Sequence, residues 1–170
     1  LQVRFGFVDM NVLDLFAGSG ALGLEAASRG AAEVVLVENN PEAVRVIEYN
    51  AGVVGHPNVT IEPVKASTYL ARAPRNHFDI VLADPPYELA DEAVAEMVEA
   101  LKPTLHDGAV VVVERHRESP ETAWPQEFTP TGQKLKKRLY GIARMDMAVY
   151  TDPELSLIHI SEPTRQEAIS

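Results

Sequence analysis

Short runs rich in valine, isoleucine and leucine recur along this chain, each followed by a stretch with helical spacing. The runs are Asn11–Phe16, Glu33–Val37, Val59–Glu62, Phe78–Ala83 and Ala109–Val113, the last after a turn at Asp107-Gly108. Strands alternating with helices predict a parallel sheet covered on both faces. The helices are expected over Ala21–Ser28, from Pro41 to about Val53, over Ser67–Arg72 and over Asp91–Leu101. Pro41 suits a helix start because an N–H there would have no partner. In Asp91–Leu101, residues Ala93, Val94, Met97, Val98 and Leu101 fall on one side of a helix. Glu118–Pro130, rich in proline and polar residues, reads as a long loop with at most one helical turn. Lys134–Tyr140 and Ile142–Tyr150 then form an antiparallel hairpin around Gly141. The expected fold class is α/β: a doubly wound, mostly parallel seven-stranded sheet with a C-terminal antiparallel hairpin. Ligands on such sheets bind beyond the carboxyl ends of the strands, so the chemistry is to be sought there.

At 170 residues the chain has the length of one domain, with 46% hydrophobic and 24% charged residues as in ordinary globular proteins. The absence of cysteine excludes disulfides, thiolate metal sites and thiol nucleophiles, and agrees with a reducing cytoplasm. No run approaches the roughly 18 apolar residues of a membrane span, and the start does not read as a signal peptide. A net charge of -10 argues against a non-specific nucleic-acid binder. The stretch Ser156–Gln166 resembles a translated sequencing adapter, so residues 151–170 are expected to be a disordered, artefactual tail. Residues 1–10 read as a non-native or partial segment, residues 11–150 as the domain, and the chain as a fragment.

The first expected strand runs into VLDLFAGSGALG, with glycines at 18, 20 and 23. That spacing is the mark of a loop that holds a dinucleotide pyrophosphate. Glu38 follows Gly18 by 20 residues, where an acid bonds ribose hydroxyls. Asp14 does not fit a dinucleotide, because its carboxylate beside the loop would repel a pyrophosphate. It would favour a cationic ligand instead. S-adenosylmethionine carries a ribose, an adenine, an ammonium and a sulfonium, and no phosphate. Phe16, Ala17, Gly18 and Gly20 would then let the backbone approach its amino-acid part closely, with Asp14 countering the charge. Glu38 and Asn39 would meet its ribose, and Ala66 and Ser67, after the third strand, its adenine.

The fourth strand ends in Asp84-Pro85-Pro86-Tyr87. Consecutive prolines fix φ and remove two donors, leaving a stiff loop whose carbonyls can face a pocket. Such acceptors beside an aromatic ring suit a planar base with an exocyclic amine. Asp84 and the Pro85 carbonyl would accept from the amine, and Tyr87 would stack on the ring. A rigid turn with a packed tyrosine is the plainer alternative.

Together, D-x-F-x-G-S-G and D-P-P-Y resemble the class I S-adenosylmethionine-dependent methyltransferases that act on exocyclic amines of nucleobases. The stretch from Val12 to Tyr150 is similar to the RsmD-type 16S rRNA guanine-N2 methyltransferases in VLDLFAGSGALGLEAASRGA, VLVENN, VLADPPY, VVVVER and RLYGIARMDMAVY. The resemblance implies a Rossmann-like methyltransferase fold, S-adenosyl-L-methionine as cofactor, and 16S rRNA, within an assembling small subunit, as partner. It also implies a cytoplasmic monomer with no metal and no membrane. Such enzymes carry a basic, arginine-rich N-terminal arm that Leu1–Met10 do not resemble, and its lack accounts for the acidic total. Many relatives also place an acid near Ala66 and Ser67, where none stands here. Lys134, Lys136, Lys137 and Arg138 form the one basic cluster, as well suited to solvent as to phosphate. His56, His77, His106, His116 and His159 show no metal-ligand spacing, and Trp124 reads as a packing residue. Two other functions stay open: methylation of adenine N6 or of another amine or amide, and an NAD-dependent oxidoreductase using the literal G-x-G-x-x-G.

Overall fold

The computed structural model describes residues 6–139 and 141–155. Seven strands form one sheet: β1 (Asn11–Leu15), β2 (Glu33–Val37), β3 (Val59–Glu62), β4 (Phe78–Ala83), β5 (Leu105–His116), β6 (Phe128–Arg138) and β7 (Gly141–Tyr150). The helices are α1 (Ala21–Ser28), α2 (Pro41–Val54), α3 (Ala66–Leu70) and α4 (Asp91–Leu101), with a 3-10 turn at Lys102–Thr104. Strand order is β3-β2-β1-β4-β5-β7-β6. The first five run parallel, and β7 is antiparallel to both of its neighbours. The doubly wound, mostly parallel sheet with its terminal hairpin is thus as the sequence predicts. The chain steps outward from β1 to β3, then returns to lay β4 against the other side of β1. That reversal opens a crevice above the strand ends.

Strand alternation divides the core in two. Leu13 and Leu15 of β1 face a cluster with Tyr69 and Leu70 of α3 and Val94, Met97, Val98 and Leu101 of α4. Val12, one residue over, faces Leu24, Ala26 and Ala27 of α1 and Ile47 of α2. Parallel strands covered on both faces read as unbroken apolar runs for this reason. Phe7 and Met10 pack against the second cluster, and Met10 O accepts a hydrogen bond from Ala32 N at 2.8 Å.

Several boundaries differ from expectation. β1 stops at Leu15, because Phe16 turns into the left-handed region at φ 62. Asp107-Gly108 is not a turn. Gly108, at φ 84, lies within β5, where the register against β4 shifts between Phe78 and Ile80. β6 begins at Phe128 and carries a second irregularity between Pro130 and Gly132. The loop before it contains no helical turn. Arg144 Nη1 and Nη2 instead donate to the carbonyls of Arg117, Ser119 and Pro120, and Asp146 accepts from Thr122 N and Oγ1. A buried ion pair thus satisfies backbone groups that a helix would otherwise satisfy. Thr151 N still bonds Glu127 O, and residues beyond 155 lie outside the described structure.

Gly23 carries the packing of α1 on the sheet. A Cβ there would collide with Leu36 Cδ2, whose residue is fully buried, and would stand 3.3 Å from Asp14 Oδ2. Gly23→Ala is expected to destabilise the protein by about 1–3 kcal/mol, as overpacked cores do, measured by urea denaturation. An unchanged midpoint would show that α1 lifts off freely.

Candidate active site

The glycine loop takes its shape from two left-handed residues and one clamp. Gly18 (φ 60) and Gly20 (φ 81) occupy conformations that a side chain would strain, and Gly20 starts α1. Ala17 N donates to Val37 O at 2.9 Å and Gly20 N to Ala17 O at 2.8 Å, closing the turn against β2. Glu38 does the rest: Oε1 accepts from Gly18 N at 2.8 Å and Oε2 from Asn40 N at 3.0 Å. The acid expected only to meet a ribose therefore also fixes the loop. A carboxylate oxygen accepts more than one hydrogen bond, so both remain usable. From α2, Asn50 Nδ2 reaches Ser19 O.

Beside the loop lies a cavity of about 830 Å3 bounded by Phe16, Glu38 and Asn39 on one side and Ala66 and Ser67 on another. Val64, Leu70, Leu89 and Met97 make its walls apolar, and Pro86 closes one end. Such a volume suits a nucleoside-sized ligand. Ala93, Met97 and the rest of the α4 wall carry no signal of a site in the sequence, because apolar residues on a helix read as core.

A second cavity of about 380 Å3 is lined by Asp84, Pro85, Pro86, Tyr87, Glu114, Arg138 and Leu139. Pro86 belongs to both. The pKa of Asp84 is pushed up to about 6, first by desolvation and then by the Glu114 carboxylate, against the pull of Arg138. Tyr87 is 47% exposed and makes a T-shaped contact with His116 at 5.5 Å between centroids. Glu114 is buried on β5 and takes two hydrogen bonds from Arg138, from Nε at 3.0 Å and Nη2 at 2.6 Å. Glu114 was not expected at the site, and Arg138 was read only as part of a basic cluster suited equally to solvent and to phosphate.

Asp14 lines neither cavity. It lies beneath the loop, 4% exposed, with its carboxylate toward Gly23. Burial pushes its pKa up to about 7; hydrogen bonding from the Gly23 backbone opposes this, and Asp84 and Glu38 add repulsion. Those couplings place the three acids near one another. Among the described residues, no group of three or more His, Cys, Asp or Glu side chains can hold a metal ion, and no helix is long and apolar enough to cross a membrane. His77 and His106 instead pair singly with Glu33 and Asp79, and Trp124 packs on Phe128.

Comparison with known proteins bears on what such an arrangement is for. The family described as Conserved hypothetical protein 95 matches residues 2–148, starting nine residues ahead of the domain boundary read from the sequence. The ribosomal RNA small subunit methyltransferase D of Haemophilus influenzae is 33% identical over 137 residues, 76% of this chain and 66% of that protein. Its counterpart from Escherichia coli K12 is 35% identical over 130 residues, 75% of this chain and 64% of that one. The match thus spans slightly less than two thirds of these relatives. A solved Escherichia coli structure, yhhF, described provisionally as a methyltransferase, superimposes with a TM-score of 0.74 at 28% identity, covering 88% of this chain and 80% of that one. The fold is the Rossmann-like methyltransferase fold, and the chain belongs to the Conserved hypothetical protein 95 family, of the ribosomal RNA small subunit methyltransferase D type.

Proposed function

We propose that this protein transfers a methyl group from S-adenosyl-L-methionine to the exocyclic N2 of a guanine in 16S rRNA. It acts in the cytoplasm, as a metal-free monomer, on small subunits in assembly. The single observation that carries the reading is that Pro86 lines both cavities, so the space for a donor adjoins the space for a base.

The residues present fit the donor. Gly18 has open space where a side chain would stand, so the backbone offers close approach. Glu38 lines the larger cavity and would accept from ribose hydroxyls, and Ala66 and Ser67 line it beside apolar residues that would meet adenine. The Glu38 carboxylate that clamps the loop favours a cation over a phosphate there. When bound, the donor supplies an electrophilic methyl on a sulfonium; the N–C bond forms as the S–C bond breaks, leaving a neutral thioether. The protein's part is positioning and electrostatics. Asp84 and the Pro85 carbonyl accept hydrogen bonds from the amine, localise its lone pair and stabilise the positive charge that grows on nitrogen. The departing proton goes to Asp84 or to water. The stiff bis-prolyl turn holds these acceptors in place, and Tyr87 replaces the stacking that the base loses on leaving its helix.

Differential scanning fluorimetry with S-adenosylhomocysteine and NADH tests the cofactor. The expected result is a rise in Tm with the former alone, and the opposite pattern would make the protein a dehydrogenase. Incubation with small-subunit particles assembled on 16S rRNA and labelled donor, followed by nucleoside mass spectrometry, is expected to yield N2-methylguanosine. N6-methyladenosine in its place would make the base assignment wrong. Transfer is further expected to rise with pH through about 6, as Asp84 loses its proton and becomes an acceptor.

A further inference from the structure

We propose that the Glu114–Arg138 pair reads the target base, selecting a purine that presents an N1–H donor and an O6 acceptor beside its 2-amino group. The proposal rests on the guanine-N2 reading above. Ala83 pairs with Val113, so the next residues, Asp84 and Glu114, stand on adjacent strand ends and line the same cavity. Arg138 sits opposite Gly141 at the far end of the hairpin, and Glu114 opposite Met145 of β7. The two side chains therefore meet across β7, between strands that are not neighbours. The Glu114 side chain is 6% exposed and that of Arg138 33%. Arg138 Nη1 makes no hydrogen bond among the described residues, and both groups border the cavity.

A pair that merely fastened the hairpin would need no charge, because apolar side chains tie strands together without the desolvation that a buried carboxylate incurs. Charge adds a hydrogen-bonding pattern. The cavity presents an acceptor at Asp84, an acceptor at Glu114 and a donor at Arg138. The Watson–Crick edge of guanine presents the 2-amino group, N1–H and O6: donor, donor, acceptor. Flipped bases are read along this edge. Adenine would turn its N1 lone pair toward the Glu114 carboxylate, and a site built to bond a substrate N–H rejects an analogue that lacks it.

The test starts with the unaltered protein and small-subunit particles assembled on a 16S rRNA transcript, in which the methylated guanine is mapped. That guanine is then replaced in a synthetic RNA by 2,6-diaminopurine, which keeps the 2-amino group but offers an N1 lone pair and a 6-amino group. The expected result is a fall in kcat/KM of about 100-fold or more. Glu114→Gln, whose amide can donate to that lone pair, is expected to slow methylation of guanine and to shrink the preference by about tenfold or more. Equal rates on the two RNAs with the unaltered protein would overturn the proposal and leave guanine-N2 transfer standing. So would a Glu114→Gln enzyme that slows on both by one factor. No transfer to any guanine would overturn the function itself and this proposal with it. Should Glu114→Gln fail to fold, the comparison of bases by the unaltered protein decides alone.

Discussion

Asp84→Asn is expected to lower methyl transfer by about 10²- to 10³-fold, the loss typical of removing one group that stabilises charge in a transition state, while affinity for S-adenosylhomocysteine stays within about a few-fold. Asparagine keeps the shape of the side chain and one acceptor oxygen but removes the charge that answers the positive nitrogen. Asp84 lines the smaller cavity and not the larger, so ligand binding in the larger should hardly register the change. Isothermal titration and single-turnover kinetics separate the two quantities. Equal losses in both would make Asp84 a support of the fold and not a participant in transfer.

The second large effect concerns stability. The carboxyl of Asp14 ionises near pH 7 in the folded protein, against 3.8 ordinarily, chiefly because burial disfavours its charge. A raised carboxyl pKa means that the folded state holds a proton which the unfolded chain has released. Stability is therefore greatest below about pH 4 on this group's account and falls as pH rises to about 7. Asp14→Asn abolishes that penalty. It is expected to raise stability at pH 8 by about 2–4 kcal/mol, the equivalent of a shift of this size at a buried site, and to leave stability near pH 4 unchanged. Urea denaturation at both pH values measures the difference. A variant less stable than the parent at pH 8 would show that the carboxylate is needed for the loop and not tolerated at a cost.

Where one residue answers one local demand, the sequence was readable. β2, β4, α1 and α4 lie where their apolar runs and punctuation put them, because parallel strands buried on both faces read as nearly unbroken apolar runs, and the partly exposed edge strand β3 also lies where expected. The glycine loop, Glu38 and the bis-prolyl turn were visible as residue types that only special backbone or chemistry requires. β6 was read too short for the opposite reason. It is an edge strand, exposed from Thr129 to Lys137, so no alternation marks it, and Pro130 and Gly132 look like a turn although β7 holds them in register. The pairing of Glu114 with Arg138 escaped notice because they are 24 residues apart, and only the insertion of β7 between β5 and β6 brings them together. Asp14 was legible as an anomaly, but not its depth, since burial belongs to the packed α1 and not to any neighbour in sequence.

Pro86 is the one residue that lines both chambers, and this shared wall has a practical consequence. Enlarging the donor chamber for bulkier alkyl analogues means carving the wall formed by Leu89, Ala93 and Met97, none of which borders the acceptor side. Donor scope and base choice can therefore be re-engineered as independent variables so long as the partition itself is left alone.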